Sequence, residues 1–278
     1  MKQNSKSYPI CVMSNIFKVS RSGYYKYLNQ KAAKQNDIKL MLETKAIHTR
    51  SRKSYSSRRI AKSLSKEGYK VGRYKARSLM RKIGLITLQR RKFRIKTTDS
   101  NHKYPASKNL LNQNFKITKP NHSWASDITY IKTKEGWLYL AVTMDLYSRK
   151  IIGFKMADHM REELPLKALN MALRFRNPKE KVIHHSDRGS QYAGHNFRSY
   201  LEQNNLESSM SYKGNCYDNA VVERFFGNLK SECALKAFKT KEEAYRKIRD
   251  YIVMFYNKER LHSYLGYKSP VEYEKLNL

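Results

Sequence analysis

The chain has 278 residues, enough for one medium domain and a smaller companion, and its 40% hydrophobic content supports a packed core and excludes wholesale disorder. Its 57 Lys and Arg against 23 Asp and Glu leave a formal charge of +34, far beyond what solubility needs, which selects a polyanionic partner with nucleic acid first. An anionic membrane is the weaker partner, because no apolar run approaches the roughly 18 residues of a spanning helix and the polar start from Met1 to Tyr8 lacks a signal-peptide core; an intracellular, cytoplasmic place is expected.

The charge is uneven. Residues 1–120 carry 31 Lys and Arg and 4 acids, whereas residues 121–278 carry 26 and 19. The first part is built for phosphate, and the second has carboxylates to use. Within residues 1–87, Ile10 to Leu28 predicts two short helices about Val19 to Gly23, with Ser20 or Ser22 capping the second. A clearer pair follows. Ser57 to Leu64 is one helix, Glu67 to Gly72 the turn, and Arg73 to Ile83 the next helix, with Ala76, Leu79, Met80 and Ile83 at i, i+3, i+4, i+7. Its other faces carry Arg73, Lys75, Arg77, Arg81 and Lys82, the layout of a helix-turn-helix whose second helix enters a major groove. A small bundle with a solvated basic face has the same pattern; the scarcity of acids favours double-stranded DNA. Residues 88–121, with the run Arg90 to Lys96 and two prolines, predict a basic linker.

From Trp124 the character changes. Asp127 to Ile131, Trp137 to Asp145 and Ile151 to Met156 predict an antiparallel three-strand meander. A helix from Glu163 to Arg176 follows, with Leu166, Leu169, Met171 and Leu173 inward. Then come a strand at Lys181 to His185, a helix at Phe197 to Asn204, a strand near Glu207 to Ser211 and further helices. This is an α/β layered domain with a mixed sheet flanked by helices, spanning 122–278. The cysteines, Cys11, Cys216 and Cys233, form no Cys-x-x-Cys pair, which points to reduced thiols.

Three acids stand out by context. Asp127 is placed at the start of the first strand. Asp187 lies just past a later strand and before a Gly turn, where α/β sheets place ligands. Glu223 lies in the first turns of a helix capped by Asn219, beside the stripe Val222, Phe226, Leu229 and Cys233. Phosphodiester transfer needs an in-line nucleophile and a stabilised leaving oxygen, and paired Mg²⁺ ions on carboxylate oxygen serve both. Each acid alone reads more readily as a cap, turn or salt bridge. Asp145 and Asp218 compete, and read as a strand-end turn residue and a helix-start residue. His184 and His185 precede Asp187; one of them facing the site would assist proton transfer, and packing is the alternative. Thr240 to Glu243 is a capping box that opens a C-terminal helix with Ala244, Ile248, Tyr251, Ile252 and Phe255 inward.

The chain resembles the DDE transposases of bacterial insertion sequences, in the retroviral-integrase superfamily, and more narrowly their orfB-type product. The resemblance rests on Trp124-Ala-Ser-Asp-Ile-Thr-Tyr130, His184-His-Ser-Asp-Arg-Gly-Ser-Gln-Tyr192, Asp218-Asn-Ala-Val-Val-Glu-Arg-Phe-Phe226 and Tyr256-Asn257 with His262 to Tyr273. The 35 residues between Asp187 and Glu223 fit as well. Ser56 and Leu261 depart from residues common in relatives, away from the carboxylates. The resemblance implies a ribonuclease H-like core, Asp127, Asp187 and Glu223 as metal ligands for Mg²⁺ (Mn²⁺ as a substitute), and Lys230 meeting DNA. It implies cleavage of element ends and strand transfer by a homo-oligomer on DNA, with a first-reading-frame partner protein. A nuclease that does not join ends and a catalytically silent DNA-binding relative are the rival readings.

Overall fold

The structure is a computed structural model that describes residues 1–88, 104–212 and 218–277, without the side chains of 30–34. The basic run Arg90 to Lys96 and Cys216 lie outside the described residues. Two compact units emerge, Met1–Thr87 and Leu88–Leu278.

The first unit is all helical: α1 (Ile10–Ile16), α2 (Arg21–Arg50), α3 (Ser57–Lys66) and α4 (Arg73–Lys82). Ser20 is the cap of α2, its Oγ accepting the Gly23 N–H at 3.0 Å. The expected short helix ending near Leu28 is instead 30 residues long. Nothing from Tyr24 to Arg50 interrupts it, neither Gly nor Pro. Its buried stripe, Leu40, Thr44, Ile47 and His48, is half polar, so hydrophobic periodicity does not announce it. Helices α3 and α4 pack on it through Ile60, Ala61, Leu64, Ala76, Leu79 and Met80, all buried. The turn between them needs Gly68 at φ +86°, a left-handed conformation that side chains resist.

The second unit is a five-stranded sheet in the order β3-β2-β1-β4-β5. The strands are β1 (Ser123–Thr133), β2 (Gly136–Asp145), β3 (Lys150–Ala157), β4 (Val182–Ser186) and β5 (Leu206–Met210). The first three form the antiparallel meander, and β4 and β5 join in parallel. That order and those directions are ribonuclease H-like. Strand β1 begins at Ser123, so Asp127 stands in its middle and not at its start. Helices α5 (Glu163–Arg176), α6 (Ser190–Ala193) and α7 (His195–Gln203) cover one face. Their apolar residues share a core with Trp124, Ile128, Val182 and Leu206. The buried stripe of α5 is Leu164, Pro165, Ala168, Leu169 and Ala172; Leu166 and Leu173 are partly buried, but Met171 is 41% exposed, against expectation. Gly153 on β3 lets α5 come close, since an added Cβ would overlap the Ala168 carbonyl. Helix α8 (Ala220–Glu232) packs against β1.

Thr240 caps α9 (Lys241–Asp250), accepting the Glu243 N–H at 3.0 Å, while Glu243 reaches back to the Lys239 N–H rather than to Thr240. The helix continues into a π-helical turn, Tyr251–Tyr256, that buries Tyr251, Ile252 and Phe255 as expected. Helix α10 (Pro270–Asn277) follows. Two buried ion clusters fasten this end. Arg260, 2% exposed, grips Glu232 with two bonds of 2.8 and 2.6 Å. Glu274 on α10 takes Lys150 at 2.8 Å, Ser148 at 2.7 Å and Arg176.

Part of the segment expected as a linker runs beside β5 and is bonded to it. Met210 donates its N–H to the Lys108 carbonyl at 3.4 Å, and Leu110 donates to Ser209 Oγ at 2.9 Å. At the opposite margin Asn257 bonds both the N–H and the carbonyl of Ile151, at 3.0 and 2.9 Å.

Candidate active site

The parallel ladder between β1 and β4 ends at Ala125 opposite His185. Carrying that register two residues further sets Asp127 level with Asp187, where pairing has stopped. Parallel neighbours lie about 4.8 Å apart, so two carboxylates are brought abreast by sheet geometry alone. Asp187 is steadied by the turn after β4, its Oδ1 accepting the Gly189 N–H at 3.0 Å. Asp127 Oδ1 accepts the Ile128 N–H at 2.7 Å. Glu223 stands in the first turn of α8 and is the most exposed of the three.

Electrostatics ties the set together. Burial pushes the Asp127 carboxyl well above its usual pKa, and the charge of Asp187, then that of Glu223, pushes it further. Burial, then Asp187, raises Glu223 as well. Each acid therefore feels the other two. Lys230 is a cation in reach of Asp127, and its Nζ lies 4.2 Å from the centre of the Tyr130 ring. Burial lowers its pKa, and Asp127 opposes that. This excess of negative charge suits a divalent cation. Among the described residues, no group of three or more His, Cys, Asp or Glu side chains is gathered tightly enough to hold a metal ion by itself. Mg²⁺ fits such a looser set, since it keeps waters and takes one or two carboxylates plus substrate phosphate.

The other polar residues have structural work. His184 is buried, bonded through Nε2 to Ser126 Oγ at 2.8 Å, and burial drops its pKa to about 3. His185 lies between Ser209 and Ser211, and burial drops its pKa to about 4. Burial favours the neutral form of both rings, and each is held by hydrogen bonds to buried serines. Asp145 accepts the Tyr147 N–H at 3.0 Å and pairs with Arg176 at 3.2 Å. Asp218 accepts from Asn109 and from the Tyr212 N–H. Asn219 makes no side-chain cap; its amide donates instead to the Ser126 carbonyl at 3.3 Å, tying the start of α8 to the strand beside Asp127. Buried Tyr192 lies near enough to Asp127 and Asp187 for their charge to raise its pKa, after burial itself. Its place in the motif after Asp187 was the only sequence signal for it.

In the first unit, Arg73, Lys75, Arg77 and Arg81 are all exposed on α4. Lys75 is engaged with Asp37 of α2 at 2.6 Å.

The integrase core domain family matches residues 117–216 and again 223–278, and an HTH-like domain matches 34–93. The chain is 47% identical over 266 residues to an insertion element IS600 uncharacterized 31 kDa protein of Shigella sonnei, covering 95% of this chain and 97% of that protein. It is 38% identical over 286 residues to the transposase InsF for insertion sequence IS3A of Escherichia coli K12, covering 100% and 98%. Among solved structures it is similar to a simian T-cell lymphotropic virus intasome (18% identity, TM-score 0.48, 63% of this chain and 59% of that one). It is also similar to the HTLV-2 integrase catalytic core domain in complex with magnesium (18%, TM-score 0.41, 55% and 95%). An integrase core joined to an HTH-like domain defines a DNA-recombining class. Within it, the chain belongs to the IS3-type insertion-sequence transposases.

Proposed function

We propose that this chain is a DDE-class polynucleotidyl transferase that cuts element ends and joins the resulting 3′-hydroxyls to new DNA. The register that sets Asp127 beside Asp187, with Glu223 electrostatically coupled to both, carries this reading. Asp127, Asp187 and Glu223 would hold the divalent ions, Mg²⁺ or Mn²⁺. When bound, the ions activate the attacking oxygen and stabilise the leaving one, for hydrolysis and transesterification alike.

The chain's own residues do the rest. Strand β1 fixes Asp127, and the turn at the end of β4 holds Asp187 through the Gly189 N–H. Helix α8, tied down by Asn219, presents the third. Lys230 places a cation beside Asp127, where a scissile phosphate would be received. Exposed Arg73, Lys75, Arg77 and Arg81 of α4 meet duplex DNA. No helix among the described residues is long and apolar enough to cross a membrane. The working unit is a homo-oligomer on paired ends, with the first-reading-frame product as its partner, in the bacterial cytoplasm at the nucleoid.

The test is Mg²⁺-dependent cleavage and joining of terminal-repeat DNA by wild type, Asp127→Asn and Glu223→Gln. Wild type should yield joined products, and both variants should fall to background while still binding the duplex. Cleavage without joining would leave a nuclease. Equal behaviour of all three proteins would end the enzyme reading.

A further inference from the structure

The basic side chains of α4 are not equivalent, and their sorting goes beyond a generic basic face. With Ala76, Leu79 and Met80 buried, the direction opposite them is occupied by Tyr74, Ser78 and Arg81, with Arg77 at the edge of the same face, spaced i, i+3, i+4, i+7. All four are exposed, and Tyr74 is 82% exposed, a large ring left in water. Lys75 and Lys82, also seven residues apart, lie on the flank and both turn to Asp37 of α2, at 2.6 and 3.5 Å. Their charge is partly spent inside the unit, and their ammonium groups are drawn toward α2.

We infer that Tyr74, Arg77, Ser78 and Arg81 form the base-reading face of this unit, while Lys75 and Lys82 position the helix. This rests on the proposed DNA-binding role of α4. The chemistry of the four residues suits a major groove. Arginine bonds guanine O6 and N7 with two hydrogens, a serine hydroxyl donates or accepts, and an aromatic ring packs on a thymine methyl. Seven residues of helix rise about 10.5 Å, or roughly three base pairs at 3.4 Å each. The recognised site is therefore a window of about three base pairs containing a guanine and a thymine.

The test uses the full chain without Mg²⁺, so the carboxylate chemistry plays no part. Affinity is measured for a duplex carrying the terminal repeat, for every single-pair change in it, and for an unrelated duplex at the same salt. Tyr74→Ala and Arg77→Ala should each weaken repeat binding about 5- to 100-fold, weaken the unrelated duplex by a clearly smaller factor, and flatten preference only within one short window. Lys75→Ala and Lys82→Ala should change both duplexes by the same factor. Thermal melting checks folding, and Tyr74→Gln replaces Tyr74→Ala if the latter melts early. If Tyr74→Ala and Arg77→Ala shift both duplexes equally, or Lys75→Ala flattens the preference, the assignment is overturned while the DNA-binding role stands. If wild type binds both duplexes equally, the assignment alone is overturned; if it binds neither, the DNA-binding role falls as well.

Discussion

Removing the carboxylate of Glu232 strands a guanidinium in the core. Arg260 is 2% exposed, and both of its bonds of 2.8 and 2.6 Å go to Glu232, which also accepts the Tyr251 hydroxyl at 2.8 Å. Burial alone would lower the Arg260 pKa, yet the bonds and charge of Glu232 reverse that and hold it above its usual value. Breaking one side of such a buried pair costs about 3–5 kcal/mol. In a unit of this size each kcal/mol is worth about 2–4 °C, so Glu232→Ala should melt about 6–20 °C lower by calorimetry. Glu232→Met combined with Arg260→Met should recover most of that, since an apolar pair of similar volume leaves no charge behind. Glu232 closes the same helix that carries Glu223 nine residues earlier, about 13.5 Å along the axis. Strand transfer should therefore fail on warming before duplex binding does. A loss under about 2 °C for Glu232→Ala, or a double variant worse than the single, would refute this account of the core.

Mg²⁺ at about 100 times its dissociation constant should stabilise the wild type by about 2.7 kcal/mol in a thermal shift assay, and the shift should vanish in Asp127→Asn. Without metal, Asp127→Asn should melt higher than wild type at neutral pH, because it removes one of three mutually repelling charges. Gly153→Ala should cost about 1–3 kcal/mol in urea unfolding, because the new Cβ runs into the Ala168 carbonyl and the Ala172 amide of α5. Burial would raise the Glu274 pKa, but its bonds to Arg176, Lys150 and Ser148 outweigh that and lower it below 4.5. Its contribution is therefore full above pH 4.5 and fades as pH falls through the depressed value. Glu274→Gln should destabilise the protein at pH 7 and show a weaker acid dependence below pH 4.5.

Much of the core was legible because its residues follow simple periods. The meander, the strand before Asp187 and the helix of Glu223 show alternation or a helical stripe over enough residues to read. Asp127 and Asp187 were recognisable by their motifs, but not their alignment, which depends on a parallel register between residues 60 positions apart. Helix α2 was invisible beyond Leu28 because Thr44 and His48 occupy half its buried stripe. The segment before β1 read as a linker because it is attached by backbone groups of Lys108 and Leu110 and by the polar side chains of Ser107 and Asn109, which form no hydrophobic period. Asn219 looked like a cap by residue type, yet its amide found a better acceptor in the Ser126 carbonyl.

Each margin of the sheet is blocked at one point. Asn257 fills the hydrogen-bonding positions of Ile151 on β3, and the chain at Lys108 and Leu110 does the same beside β5. A stray strand from another molecule finds no open template at those points. Crowding this strongly basic protein along one duplex should not seed sheet-to-sheet aggregation from these two places.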